Sequence, residues 1–285
     1  MKPELRKIRF NRFTFKWMNR NNKNFLWLFL ISVMLVGPGC ATTGPEPGEK
    51  RVRALRDLGA SYMRSGNYNL AARYLIEAAE ADPGNADIAN SLGLVYRELE
   101  LFDRSLSEFK RALELRPGSP QFLNNMGVTY SLMGRWDDAI ACFEKAAGDI
   151  TYATPHFAFL NLGLAYYNKS EYNRAISYYE RAIRANPYFT VAYENIGIAH
   201  EALGRWDDAR EAYEMAILFE PDSADAYLLL GRLHQRLGRD ADAADALKKA
   251  FDLDPSGPVG REAQGILRQM GRKTSALTLH GSAGS

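Results

Sequence analysis

The chain is 285 residues long, 46% hydrophobic and 25% charged, with a formal net charge of +2. That length can bury a large core without covalent staples, and two cysteines do not make a disulfide framework. The basic excess lies in residues 1–39, which hold eight Lys or Arg against one acid; the rest has 36 − 8 = 28 bases and 34 − 1 = 33 acids, net −5, and gives no support to nucleic-acid binding.

The first element in chain order is an apolar run from Phe25 to Val36, preceded by Arg20 and Lys23 and followed by Gly-Pro-Gly-Cys40. Spanning a bilayer takes roughly 20 apolar residues; this run is shorter and suits a signal peptide over residues 1–39. Met18 is an alternative start that gives the signal an ordinary size. A cysteine just after such a run resembles the bacterial lipoprotein signal. That resemblance implies that the thiol of Cys40 is acylated, and that Cys40 becomes the first mature residue, leading a linker over 40–51. With Ala41 rather than Asp beside it, the resemblance also implies a lipid-anchored protein at the periplasmic face of the outer membrane. Gly37 and Pro38 stand where that family prefers Leu and a small residue, so an ordinary cleaved signal is one alternative and an uncut anchor in the inner membrane another.

From Leu55 to Pro255 the sequence repeats. A Leu, Met or Ile followed by glycine recurs at Gly59, Gly93, Gly127, Gly163, Gly197 and Gly231, in steps of 34, 34, 36, 34 and 34. Three residues after each glycine stands a ring (Tyr62, Tyr96, Tyr130, Tyr166, His200, His234), and nineteen after it an alanine (Ala78, Ala112, Ala146, Ala182, Ala216, Ala250). Between these sit Leu75, Phe109, Phe143, Tyr179, Tyr213 and Leu247. The pattern describes a helix hairpin in which small residues let two helices approach while large ones fill the gaps. Pro83, Pro117, Pro187, Pro221 and Pro255 end the second helices, because proline has no N–H for the ladder. No stretch reads as strand.

This pattern resembles the tetratricopeptide repeat, over six copies at 52–85, 86–119, 120–153, 156–189, 190–223 and 224–257. The resemblance implies an all-α, right-handed α-solenoid of six helix hairpins in which neighbours bury each other's apolar faces. Val259, Ala263, Ile266, Leu267 and Met270 place an amphipathic capping helix over 258–270, and the Ser/Gly-rich end makes 271–285 a disordered tail.

Catalytic chemistry needs converging groups, and none are legible. His200 and His234 occupy the slot that tyrosine fills in the other repeats. His200-Glu201 lacks the second histidine of a zinc-protease motif, and Gly271-Arg272-Lys273-Thr274 lacks the strand and glycine spacing of a phosphate loop. Cys142 reads as a small core residue, and Asn125, Asn161 and Asn195 as structural hydrogen-bonders. The expectation is a protein that is not an enzyme, with no cofactor, no metal site and no small-molecule substrate.

Function should then lie in the concave face lined by each repeat's first helix. Aligned on the family pattern, this face takes the second, fifth, ninth and twelfth positions. Repeats one and two offer Arg53, Arg56, Asp87, Asn90 and Arg97, whereas repeats three to five offer Val128, Phe157, Leu160, Leu164, Tyr167, Val191 and Ile198. In an open groove these bind an amphipathic helix or extended apolar peptide, with Phe157 and Tyr167 as anchors; in a closed superhelix they are core.

The 36-residue step places Ala147-Gly-Asp-Ile-Thr-Tyr-Ala-Thr-Pro155 between repeats three and four, followed by Phe157, Asn161 and Gly163. This junction resembles the Tyr-x-x-Pro segment ahead of Asn-x-Gly in type IV pilus biogenesis lipoproteins, the PilF/PilW group. That resemblance implies a pilotin, an adaptor that binds secretin subunits and promotes their targeting and assembly. An envelope scaffold that recruits peptidoglycan hydrolases or synthases is the alternative. The expected partners are a secretin subunit or another envelope protein, and the membrane through the acyl anchor.

Overall fold

The computed structural model describes residues 47–281, and their side chains from 48 to 271. The apolar run, Met18, Cys40 and residues 282–285 lie outside the described residues. Every regular element described is an α-helix, and the fold is all-α, with helices packed in successive pairs. It divides into two compact units, Met1–Cys142 and Phe143–Ser285.

The first unit holds α1 (Pro47–Arg64), α2 (Tyr68–Ala81), α3 (Ala86–Glu98), α4 (Phe102–Leu115), α5 (Pro120–Leu132) and the start of α6 (Trp136–Ala147). Its core joins Leu55, Ala71, Leu75, Ala78, Ile88, Leu92 and Val95 across α1, α2 and α3. Within each hairpin the glycine makes room for the ring of the second helix: a Cβ on Gly93 would stand 2.7 Å from the buried Phe109 ring. Helix starts are set by local chemistry. The Asn85 side chain accepts from the backbone N–H of Asp87 and Ile88, satisfying donors that the first turn of α3 leaves open. Ser105 Oγ, buried on α4, donates to the Gly93 carbonyl at 2.8 Å and lies 3.2 Å from Thr129 Oγ1 on α5, tying three helices together.

The second unit holds the rest of α6, then α7 (Pro155–Asn168), α8 (Tyr172–Ala185), α9 (Thr190–Ala202), α10 (Trp206–Phe219), α11 (Ala224–Arg236), α12 (Asp240–Leu253) and α13 (Pro258–Gly281). Tyr179 packs on Gly163, Tyr213 on Gly197 and Leu247 on Gly231. Five second helices end two residues before a proline, whereas α6 ends at Ala147 and is followed by a longer link to Pro155, the first residue of α7. Asp149 holds that link by accepting from the Thr151 N–H and hydroxyl at 2.7 and 2.6 Å.

One feature differs from the sequence reading. Helix α13 continues past Met270 to Gly281, so 271–281 is helical rather than a disordered tail. The Arg-Lys-Thr-Ser-Ala-Leu-Thr-Leu stretch holds no proline, and Ala276, Leu277 and Leu279 add helix formers or neutral residues. The glycine and serine that suggested disorder are concentrated after it. Turns inside the hairpins also adopt a left-handed residue at Gly66, Gly134, Gly204 and Gly238, and the same conformation falls on two side-chain-bearing residues, Glu100 (φ 60°) and Ser170 (φ 63°).

Candidate partner-binding surface

In the first unit the first helices α1, α3 and α5 lie side by side and present a polar, cationic face. Arg53 is exposed and Arg56 half-buried. Asp87 grips Arg116 through two hydrogen bonds of 2.8 and 2.9 Å, and the guanidinium holds its carboxyl below the usual range, helped by the charge of Arg56. Asn125 Nδ2 on α5 donates to Asn90 Oδ1 on α3 at 3.0 Å. Seven residues further along the same face of α3, buried Arg97 contacts a single oxygen of Glu98 at 3.3 and 3.4 Å. Val128 is half-buried on α5.

In the second unit the structure decides between two sequence readings. Leu160, Leu164 and Tyr167 are readable from the sequence either as the lining of an open groove or as the core of a closed superhelix, and all three are buried. The reason is visible along α7, where every residue from Asn161 to Tyr167 is buried. A helix apolar on all sides has no face left for water, so these residues are core. Phe157, Val191 and Ile198 keep partial exposure. Phe157 belongs to a ring cluster, 4.4 Å from His156 and 5.4 Å from Phe189. Burial pushes the His156 imidazole below its ordinary pKa.

The register that located the apolar positions also contains acids that the apolar reading passed over. Glu194 and Glu201 are the fifth and twelfth positions of repeat five, and Asp225 the second of repeat six. Glu194 accepts from Ser223 Oγ at 3.2 Å, and burial, with Asp225 and Glu220 nearby, raises its carboxyl to about 8. Burial, with Asp254, Glu220 and Glu262 nearby, raises Asp225 as well. Glu201 accepts from Tyr213 Oη and from Arg236 Nη1, both at 2.7 Å. An aromatic edge was not legible either: Tyr188, 71% exposed, meets Phe219 at 5.6 Å, and Tyr193 meets the same ring at 5.3 Å. It sits in the turn after α8, outside the positions that the register selects.

The remaining singled-out residues take packing roles. His200 and His234 sit in the ring slot with burial lowering their pKa. Cys142 is buried, and Asn195 Nδ2 donates to the Val191 carbonyl of its own helix at 2.7 Å. Among the described residues no group of three or more His, Cys, Asp or Glu is placed to hold a metal ion, and no helix is long and apolar enough to cross a membrane.

Paired helices that expose side chains along a repeat face, cationic in one unit and mixed apolar and acidic in the other, define a protein-interaction scaffold. The chain belongs to the tetratricopeptide-repeat family: the family model of the cilia and flagella-associated protein 70 C-terminal domain matches residues 106–259, and a tetratricopeptide-repeat model matches residues 56–120. Among solved structures it is similar to PilW, described as a widely conserved type IV pilus biogenesis factor. The TM-score is 0.67 and the identity 25%, over 75% of this chain and 98% of that one. It is also similar in fold to pilF of Pseudomonas aeruginosa, at TM-score 0.63 and 24% identity, over 78% of this chain and all of that one. The MamA protein follows at TM-score 0.51 and 26% identity, over 61% and 94%. No curated protein matches the sequence.

Proposed function

We propose that the chain is a lipid-anchored adaptor of type IV pilus biogenesis, a pilotin that binds secretin subunits at the periplasmic face of the outer membrane and promotes their assembly. The observation that carries this reading is the likeness to PilW across nearly the whole of that protein. The signal-like run ending at Cys40 and the junction around Pro155 support it from the sequence. In this reading the acyl chain on Cys40 supplies the membrane address and the repeat face supplies recognition. The work is binding, with no cofactor and no bond chemistry.

The test is secretin assembly in a strain lacking the chain, read as heat-resistant multimer against monomer in separated inner and outer membranes. Loss of multimer, or monomer held in the inner membrane, with Cys40→Ser reproducing the defect, supports the reading. Normal multimer in the outer membrane sinks it and moves the envelope-scaffold reading to first place.

A further inference from the structure

The second helices of the repeats differ in charge, and the difference is sharpest between two neighbours in the second unit. Along α8, Arg174, Arg181 and Arg184 stand against Glu180, a net +2; along α10, Asp207, Asp208, Glu211 and Glu214 stand against Arg210, a net −3. No other second helix is positive, and none is as negative. Both helices pack on α9, and they come together at their C-terminal ends, where Tyr188 meets the Phe219 ring.

Each helix keeps one charge that its own fold does not pair. Arg174 binds Glu171 at 2.7 Å, Arg184 lies 4.0 Å from Glu180, Arg210 takes Glu214 at 2.8 Å and Asp207 at 3.9 Å, and Asp208 lies 3.7 Å from His200. Arg181 and Glu211, both exposed, have no hydrogen bond or ion pair among the described residues. The Arg181 guanidinium lies over the Phe159 ring at 4.3 Å and the Tyr178 ring at 5.3 Å, which holds its plane while its N–H groups stay open to an acceptor.

The exposed positions fall in helical register. Arg174, Arg181 and Arg184 form one stripe of α8, continued by Tyr188 in the turn, and Asp207, Glu211, Glu214 and Leu218 form one stripe of α10. Tyr188 and Leu218 are 71% and 66% exposed, so both stripes end in apolar surface at the same end. As successive second helices of the repeat, α8 and α10 run the same way. A positive and a negative stripe arranged so are complementary to themselves under one operation. A two-fold axis parallel to the helices lays α8 on α10 of a second copy, and α10 on its α8, and brings the apolar ends together. An axis across the helices would set like charge on like.

We infer that the second unit pairs with a second copy of this chain through an isologous contact of α8 and α10, with Arg181 of each copy facing Glu211 of the other and Tyr188 and Leu218 closing one end. Each face is two helices of 14 residues, roughly 20 Å long and 20 Å wide. That is a patch at the low end of specific interfaces, so the dimer forms reversibly. The inference does not depend on which protein the repeat face serves.

The experiment is sedimentation equilibrium of the full chain in density-matched detergent. The unaltered chain should show a concentration-dependent equilibrium of monomer and dimer that weakens as salt is raised. Arg181→Glu and Glu211→Arg each set two like-charge contacts in the dimer and should weaken it about ten-fold or more, and the double variant should return it to within about three-fold of the unaltered chain. Leu218→Ser should weaken it with the salt dependence kept, and Arg73→Gln, on an exposed surface of α2, should change nothing. The substituted side chains are all exposed, and unchanged circular dichroism checks that each variant folds. Monomer alone up to about 100 μM, a dimer indifferent to both reversals, or single losses that the double variant does not rescue overturns the inference. So does growth into longer chains, which marks a head-to-tail contact. The result is separable from the multimer assay: a monomeric chain leaves the pilotin reading standing, and normal secretin multimer in the deletion strain leaves the dimer standing.

Discussion

Repeats four and five are built on the same pattern and solve it differently. In both, a tyrosine of the second helix lies against a glycine of the first so closely that a Cβ there would stand 2.3 Å from the ring. In repeat five the hydroxyl of Tyr213 donates to Glu201; in repeat four that of Tyr179 is buried with no partner among the described residues. The difference arises at the twelfth position, Glu201 in one and Tyr167 in the other, and at the fifth, Glu194 in one and Leu160 in the other. Repeat five therefore keeps a polar side, while α7 of repeat four is enclosed. The comparison teaches that hydrogen-bond satisfaction in a repeat depends on the facing residue, not on the tyrosine itself.

The largest effect expected breaks the feature that the two repeats share. Gly163→Val or Gly197→Val drives a side chain into a fully buried ring with nowhere to move, costing at least about 3 kcal/mol, and chemical denaturation should show both variants losing cooperative unfolding together. Next, Leu164→Glu places an unpaired charge in the enclosed helix and should cost about 3 kcal/mol with loss of helicity, whereas Ile198→Glu, at the same position of repeat five and half-buried, should cost below about 1 kcal/mol. Equal costs would show that α7 is not enclosed.

The raised carboxyl of Glu194 makes stability depend on pH. Below the ordinary value of 4.5 both folded and unfolded chains hold the proton. Between 4.5 and about 8 the folded chain binds more protons, so stability falls as pH rises, with the full loss above 8. Glu194→Gln should flatten that fall, by at most about 5 kcal/mol, measured as urea midpoints across the range. Leu160→Gln in repeat four should produce no such pH dependence.

A smaller pair of effects tests the hydroxyls. Tyr213→Phe strips a donor from Glu201 and should cost about 1–2 kcal/mol, while Tyr179→Phe removes an orphaned hydroxyl and should be neutral or stabilising by up to about 1 kcal/mol. The smallest concerns the turns: Ser170 holds φ at 63° where repeat five has Gly204 at 73°. Ser170→Gly should raise stability by about 1 kcal/mol, visible as a higher thermal midpoint.

Much of the fold was legible because its causes are local. The glycine and alanine spacing reports close helix approach, and prolines two residues beyond the second helices report where the backbone ladder must stop. The face of α1 and α3 was also legible, since Arg53, Arg56, Asn90 and Arg97 recur in helical register. Their unequal burial was not, and neither was the bond between Asn90 and Asn125, which joins residues one repeat apart. The apolar groove positions were undecided for the same reason: Leu160, Leu164 and Tyr167 fit both an open face and a closed one, and composition does not choose between them.

The sequence by itself determined the helical period, the six-fold repetition, the hairpin breaks and the charge of each stretch, because propensity, capping and proline chemistry act within a few residues. Only the tertiary structure decided which of those side chains meet water. That outcome depends on how tightly successive first helices approach, a quantity set by all the side chains between them at once. It is why Tyr213 has a partner and Tyr179 has none among the described residues, and why Leu164 is core while Ile198 is not.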